Sequence, residues 1–195
     1  MSTSLFSLFF ALLSLVALAG TVAVLVLRFG LRGPQWDGVR REVGQVALPL
    51  AFVVALVTTG GSLYYSKIVG YIPCELCWYQ RIAVYPQVIV LGTALVRRDP
   101  LGVRPYVIGP CIVGALIATY HTWIQAFPPD SGTSFCTEDA PCTVKYVWEL
   151  GFVSLPFMAL SAFLSMITLM VAAGWVRASA GDPADTPSLL SERPT

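Results

Sequence analysis

LFSLFFALLSLVALAGTVAVLVL, residues 5–27, runs for 23 residues without a charged side chain and stops at Arg28. A helix needs about 20 mostly apolar residues to cross a ~30 Å hydrocarbon layer, so this stretch reads as a membrane span. Four more follow. Residues 46–66 stop at Lys67, and residues 76–96 hold one charge, Arg81, and close on Arg97-Arg98. Residues 106–127 carry the single histidine, His121, and residues 150–176 end at Arg177. The composition agrees, with 56% hydrophobic residues and 12% charged among 195 and a mean hydropathy of +0.72. Soluble domains carry about 25% charged residues. An all-α integral membrane protein is expected. A net charge of +1 without a basic block argues against nucleic acid.

Lys and Arg in short loops stay cytoplasmic, so they set the orientation. Nine of the 12 basic residues fall on one side of a five-span chain: Arg28, Arg32, Arg40, Arg41, Arg97, Arg98, Arg104, Arg177 and Arg193. Lys67, Arg81 and Lys145 fall on the other. The expectation is a multi-pass protein of the cytoplasmic membrane, with its N-terminus outside and its C-terminus in the cytoplasm. The first span reads as a retained anchor and not a signal peptide, because residues 1–4 lack Lys and Arg and the apolar run exceeds an h-region. Residues 1–45 then form an N-terminal span with a cytoplasmic loop, and residues 46–176 a membrane domain of four spans. The Pro- and Ser-bearing tail from Ala178 to Thr195 is too polar to pack and is expected to be disordered.

Four of five cysteines fall on the outer side. Cys74 and Cys77 make a C-x-x-C at the start of the third span, and Cys136 and Cys142 lie in the loop between the fourth and fifth. Disulfides persist there. Residues three apart on a first helical turn share a face, and a helix N-terminus favours a thiolate. Redox chemistry is therefore expected of Cys74 and Cys77. Two plainer readings compete: disulfides that merely staple loops, or four thiols holding structural zinc, which the oxidising side and unequal spacings disfavour. No metal is expected. Cys111 lies about 15 Å of helix from His121 and reads as a small buried apolar residue.

An ionisable side chain at membrane depth is a functional hypothesis by default. Arg81 lies one turn inside Cys77, and His121 lies at similar depth in the next span. A dithiol that closes to a disulfide loses two electrons and two protons. A lipid-soluble quinone accepts both, and its carbonyl oxygens need donors such as a guanidinium or imidazole. Snorkelling is the plainer reading of Arg81, and a satisfied polar residue in a bundle that of His121. Gln80 and Gln125 read equally as donors or as solvated interfacial residues. Tyr64, Tyr65, Tyr71, Trp78 and Tyr79 read as an aromatic belt.

PCELCWYQRI at residues 73–82, with Tyr85-Pro86 after it, resembles the DsbB/BdbC family of disulfide bond formation proteins. So do Tyr120-His121 and the run from Cys136 through Pro141-Cys142 to GFVSLP at residues 151–156. The short second cysteine loop resembles the BdbC-like branch. The resemblance spans residues 46 to 173 and implies a four-helix transmembrane bundle, here with one additional N-terminal helix. It also implies a thiol oxidase linked to quinone, either ubiquinone or menaquinone. By that match Cys136 and Cys142 face a thioredoxin-like dithiol oxidase outside the cytoplasmic membrane, Cys74 and Cys77 pass electrons to quinone, and Arg81 lies beside it. Two rivals remain: an outward-directed thiol reductase, and a scaffold with two stapling disulfides.

Overall fold

The computed structural model describes residues 3–31, 33–128, 136 and 141–175. Five helices make up almost all of it: α1 (Thr3–Phe29), α2 (Asp37–Lys67), α3 (Glu75–Arg97), α4 (Arg104–Ala126) and α5 (Leu155–Ala172). α2, α3, α4 and α5 close a ring in which each packs on the next, and α1 packs on the outer side of α5. The bundle and its added N-terminal helix match the expected architecture.

Small residues let the helices approach, as membrane bundles require when lipid is as apolar as the interface. Ala47, Ala51 and Ala55 repeat every fourth residue along α2 and are fully buried. On α4, Cys111, Gly114, Ala115 and Ala118 form the face that meets α5, whose Phe163, Met166 and Met170 fill the core. Gly114 is required by its neighbour, because a Cβ there would run into the Phe163 ring. Gly114→Val is therefore expected to destabilise the bundle by about 1–3 kcal/mol, read as a lower thermal unfolding midpoint of the solubilised protein. An unchanged midpoint would show that the ring moves aside freely.

The outer faces are apolar. Ile82, Ile89 and Leu116 are each about two-thirds exposed or more, a pattern suited to hydrocarbon and not to water. α1, α4, α5 and the segment Pro34–Lys67 are long and apolar enough to cross a membrane. α3 is less apolar because it carries Gln80, Arg81 and Gln87, but Gln80 and Gln87 are buried. Its 23 residues span about 34 Å, and its place between α2 and α4 carries it across the same layer. The protein is a multi-pass membrane protein.

The fifth helix starts later than its apolar run. Residues 150–154 are not helical: Trp148–Glu149 and Val153–Ser154 pair as a two-stranded hairpin, and α5 begins at Leu155. The turn holds Leu150 at φ 53° and Gly151 at φ 80°. Positive φ at successive residues suits a tight hairpin and is incompatible with a right-handed helix. Pro156, which lacks an N–H, sits in the first turn, where no helical partner is needed. α5 ends at Ala172 with a turn at residues 173–174, short of the expected end of the span at Val176, and the expected disordered tail lies outside the described residues.

Candidate functional site

The C-x-x-C lies where α3 begins. Cys74 is the N-cap in extended conformation, and its carbonyl accepts the first helical bond, from Trp78 N–H at 3.1 Å. Pro73 before it keeps the entering chain extended. Cys77 falls in the first turn, and its sulfur lies 2.9 Å from that of Cys74. Cys136 and Cys142 are joined in a disulfide across a Cα–Cα distance of 5.8 Å.

The two pairs meet through His121 of α4. Its imidazole is almost fully buried, with Nε2 3.1 Å from the Cys142 carbonyl oxygen and 3.8 Å from the Cys74 sulfur. A carbonyl only accepts, so Nε2 carries the proton. Nδ1 is then the acceptor for the Gln80 amide at 3.2 Å. One turn further on, Gln125 donates to the Val144 carbonyl at 3.0 Å and the Cys142 carbonyl at 3.4 Å. α4 thus holds the backbone of the second cysteine against the first pair. The Cys74 sulfur, a His121 ring nitrogen and the Cys142 sulfur all lie within 4.8 Å of one another. That spacing would also suit a metal, but metal ligation needs thiolates and the Cys142 sulfur is committed to its disulfide. A sulfur neighbouring a disulfide at this range suits thiol–disulfide exchange.

Cys74 is held below the ordinary thiol range, first by the Cys77 hydrogen bond and then, against the opposing cost of burial, by His121. In the reduced protein its thiolate is expected to persist at neutral pH and below, where an ordinary thiol loses thiolate about tenfold per pH unit. A pH titration of ultraviolet thiolate absorbance checks this, with Cys74→Ser as reference. Loss of the signal at the usual alkaline thiol midpoint would contradict it.

Arg81 and His121, placed at similar depth by helix arithmetic, point to different places. Arg81 turns toward α2, donating from Nε to the Ser62 hydroxyl at 3.0 Å and from Nη2 to the Ser62 carbonyl at 3.3 Å. Tyr85 donates to the same hydroxyl at 3.1 Å, and the guanidinium lies 5.2 Å from the centre of the Trp78 ring. It borders a cavity of about 390 Å³ walled by α1, α2, α3 and α5. Of the four site cysteines, Cys77 alone lines that cavity, whereas His121 lines a small void among the sulfurs.

Gln80 and Gln125, ambiguous in sequence, are buried and bonded within the site. The one signal that could have singled them out is spacing: Gln125 follows His121 by four, so the two share a face. Tyr65 and Tyr71 stack at 5.8 Å, and Tyr71 stacks on Tyr146 at 4.6 Å, while Trp78 and Tyr79 remain half-exposed. Cys111 lies fully buried in the core and takes no part in the sulfur cluster.

Apolar helices carrying two cysteine pairs within exchange distance at one end define a membrane protein built for thiol–disulfide chemistry. The family model described as "Disulfide bond formation protein DsbB" matches residues 44–174. The chain belongs to the DsbB family of disulfide bond formation proteins. It is 45% identical over 125 residues to a "Disulfide bond formation protein C" of Bacillus subtilis (strain 168), covering 64% of this chain and 90% of the relative. A "Probable disulfide formation protein" of Oceanobacillus iheyensis is 42% identical over 127 residues, covering 63% and 84%. No solved structure matches. A disulfide formation protein with this fold is a membrane oxidoreductase.

Proposed function

We propose that this chain reoxidises an extracytoplasmic thioredoxin-like dithiol oxidase and delivers the electrons to a membrane quinone. The observation that carries the reading is the position of Cys77, which contacts Cys74 on one side and opens to the 390 Å³ cavity on the other. In this reading the sulfur end of the bundle faces outward, with the C-terminus in the cytoplasm.

A partner thiolate attacks Cys136, breaking the Cys136–Cys142 bond and releasing Cys142 as the leaving thiolate. The partner's second thiol then attacks the mixed disulfide, which frees Cys136 and leaves the partner oxidised. Cys142, held by His121 and Gln125, attacks Cys74 of an oxidised Cys74–Cys77 pair and releases Cys77. Cys136 resolves the Cys74–Cys142 bond, which restores its own disulfide and leaves Cys74 and Cys77 reduced. His121 donates its Nε2 proton as a hydrogen bond toward the Cys74 sulfur, favouring the anion there.

The cavity fits a quinone: its size lies in the range of small-molecule sites, its wall is mostly apolar, and it offers one guanidinium beside one thiol. When bound, a quinone takes up the two electrons and two protons that the dithiol loses. Arg81 supplies the charge-assisted donor for a carbonyl oxygen, and the Ser62 contacts keep its planar fork aimed.

The test is anaerobic reduction of ubiquinone and of menaquinone analogues by purified protein with a reduced thioredoxin-like donor. Arg81→Met is expected to raise the KM for quinone by about tenfold or more, the loss of one charge-assisted hydrogen bond. Arg81→Lys should fall between, and exchange at Cys136–Cys142 should be normal in both. No quinone reduction by the unmodified protein, with both disulfides permanently closed, would return it to a stapled scaffold.

A further inference from the structure

α1 lies outside the residues that match the family, yet it contributes Phe10, Leu13, Ser14, Val16 and Ala17 to the wall of the cavity. Its fastening explains how. Ser7, Ser14 and Thr21 recur every seven residues and are all buried, a stripe of small polar side chains facing the bundle. The two ends of the stripe are tied down. Tyr65 of α2 donates to Ser7 at 3.1 Å, and Thr21 shares a hydrogen bond with Ser165 of α5 at 2.9 Å. The middle member, Ser14, bonds back into its own helix at the Ala11 carbonyl and borders the cavity.

The gap between α1 and α2 is closed above and below by side chains. At the sulfur end, the tilted Phe6 and Tyr64 rings pack with centroids 3.8 Å apart, and the Phe10 ring lies against Gly61, where a Cβ would approach it to 2.8 Å. At the opposite end, Arg40 donates to the Leu27 carbonyl at 2.9 Å and the Leu31 carbonyl at 2.6 Å. Between these closures Leu13 and Val16 of α1 share the cavity with Leu50 and Val53 of α2, and all four are exposed. These four exposed side chains place an opening of the cavity at mid-helix, facing sideways onto hydrocarbon.

We infer that α1 is part of the quinone site: it forms the outer wall, and the slot between α1 and α2 admits an isoprenoid-tailed quinone from the bilayer and holds its tail. The inference rests on the quinone reading above. Its occupant follows from continuity, because one apolar space runs from the lipid-facing slot to Cys77 and Arg81.

The experiment is photolabelling of the full chain in lipid with an azido-ubiquinone that carries an isoprenoid tail, followed by peptide mapping. Label is expected on α1 within residues 10–17 as well as on α2 and α5. Leu13→Trp narrows the slot, and it is expected to raise KM and weaken equilibrium binding about tenfold for a long-tailed quinone while leaving a tailless one unaffected. Leu12→Trp, on the outward face, is the control, and Leu13→Ala replaces the bulky variant if that one fails to accumulate. Label confined to α2, α3 and α5, or equal behaviour of the Leu13 and Leu12 variants, overturns the role of α1 and leaves the quinone reading standing. No label anywhere, with no quinone reduction, overturns both.

Discussion

Cys77→Ser is expected to lower quinone reduction by about a thousandfold or more, because a serine oxygen can neither close nor open a disulfide. The geometry makes this loss specific. Cys74 is turned toward His121 and Cys142, whereas Cys77 is the site cysteine that borders the large cavity. Removing it cuts the path at the cavity and leaves the rest of the sulfur cluster in place. Thiol trapping should therefore still find Cys136 and Cys142 exchanging with a reduced partner once and then stopping. Cys74→Ser should stop turnover equally, by removing the sulfur that Cys142 attacks. Undiminished turnover in either variant would sink the electron order.

Cys142→Ser should abolish partner-driven turnover to the same degree while sparing a shorter path. Its sulfur lies within 4.8 Å of the Cys74 sulfur, and its carbonyl is held by two side chains of α4. Without it, Cys136 can still attack an oxidised partner, but the mixed disulfide then falls back only by return of the partner's own second thiol. That adduct should be caught by acid quenching and thiol alkylation on a non-reducing gel and be absent from Cys136→Ser. A small dithiol supplied in excess should still drive quinone reduction through Cys74 and Cys77. Partner-driven turnover retained in Cys142→Ser would mean that Cys136 reaches the first pair unaided.

Hydrophobic runs located all five helices, and Arg28, Lys67 and Arg97 marked where the first three end, because in a membrane each span must carry its own apolar length. The cysteine pairs were equally plain, since C-x-x-C at a helix start has a local mechanism. What escaped was long-range. The partners of His121 lie 41 residues away at Gln80 and 21 away at Cys142, and no local pattern joins them. Residues 150–154 were masked by their own apolarity, and Gly151 and Pro156 were the visible signs of a break. The α1 wall escaped because Leu13, Val16 and Ala17 are what any lipid-facing helix carries, so only packing reveals the cavity behind them.

The Cys136–Cys142 disulfide is unequally exposed. Cys142 is 1% accessible and Cys136 is partly so. Any nucleophile arriving from outside, partner or stray small thiol, meets one electrophilic sulfur and not two. The regiochemistry of attack is thereby set before recognition begins, and the displaced sulfur is always the one inside. In the proposed electron path burial acts as insulation on a wire: current would enter at a single contact, and adventitious reductants would not short-circuit the inner junction by striking it from the wrong side.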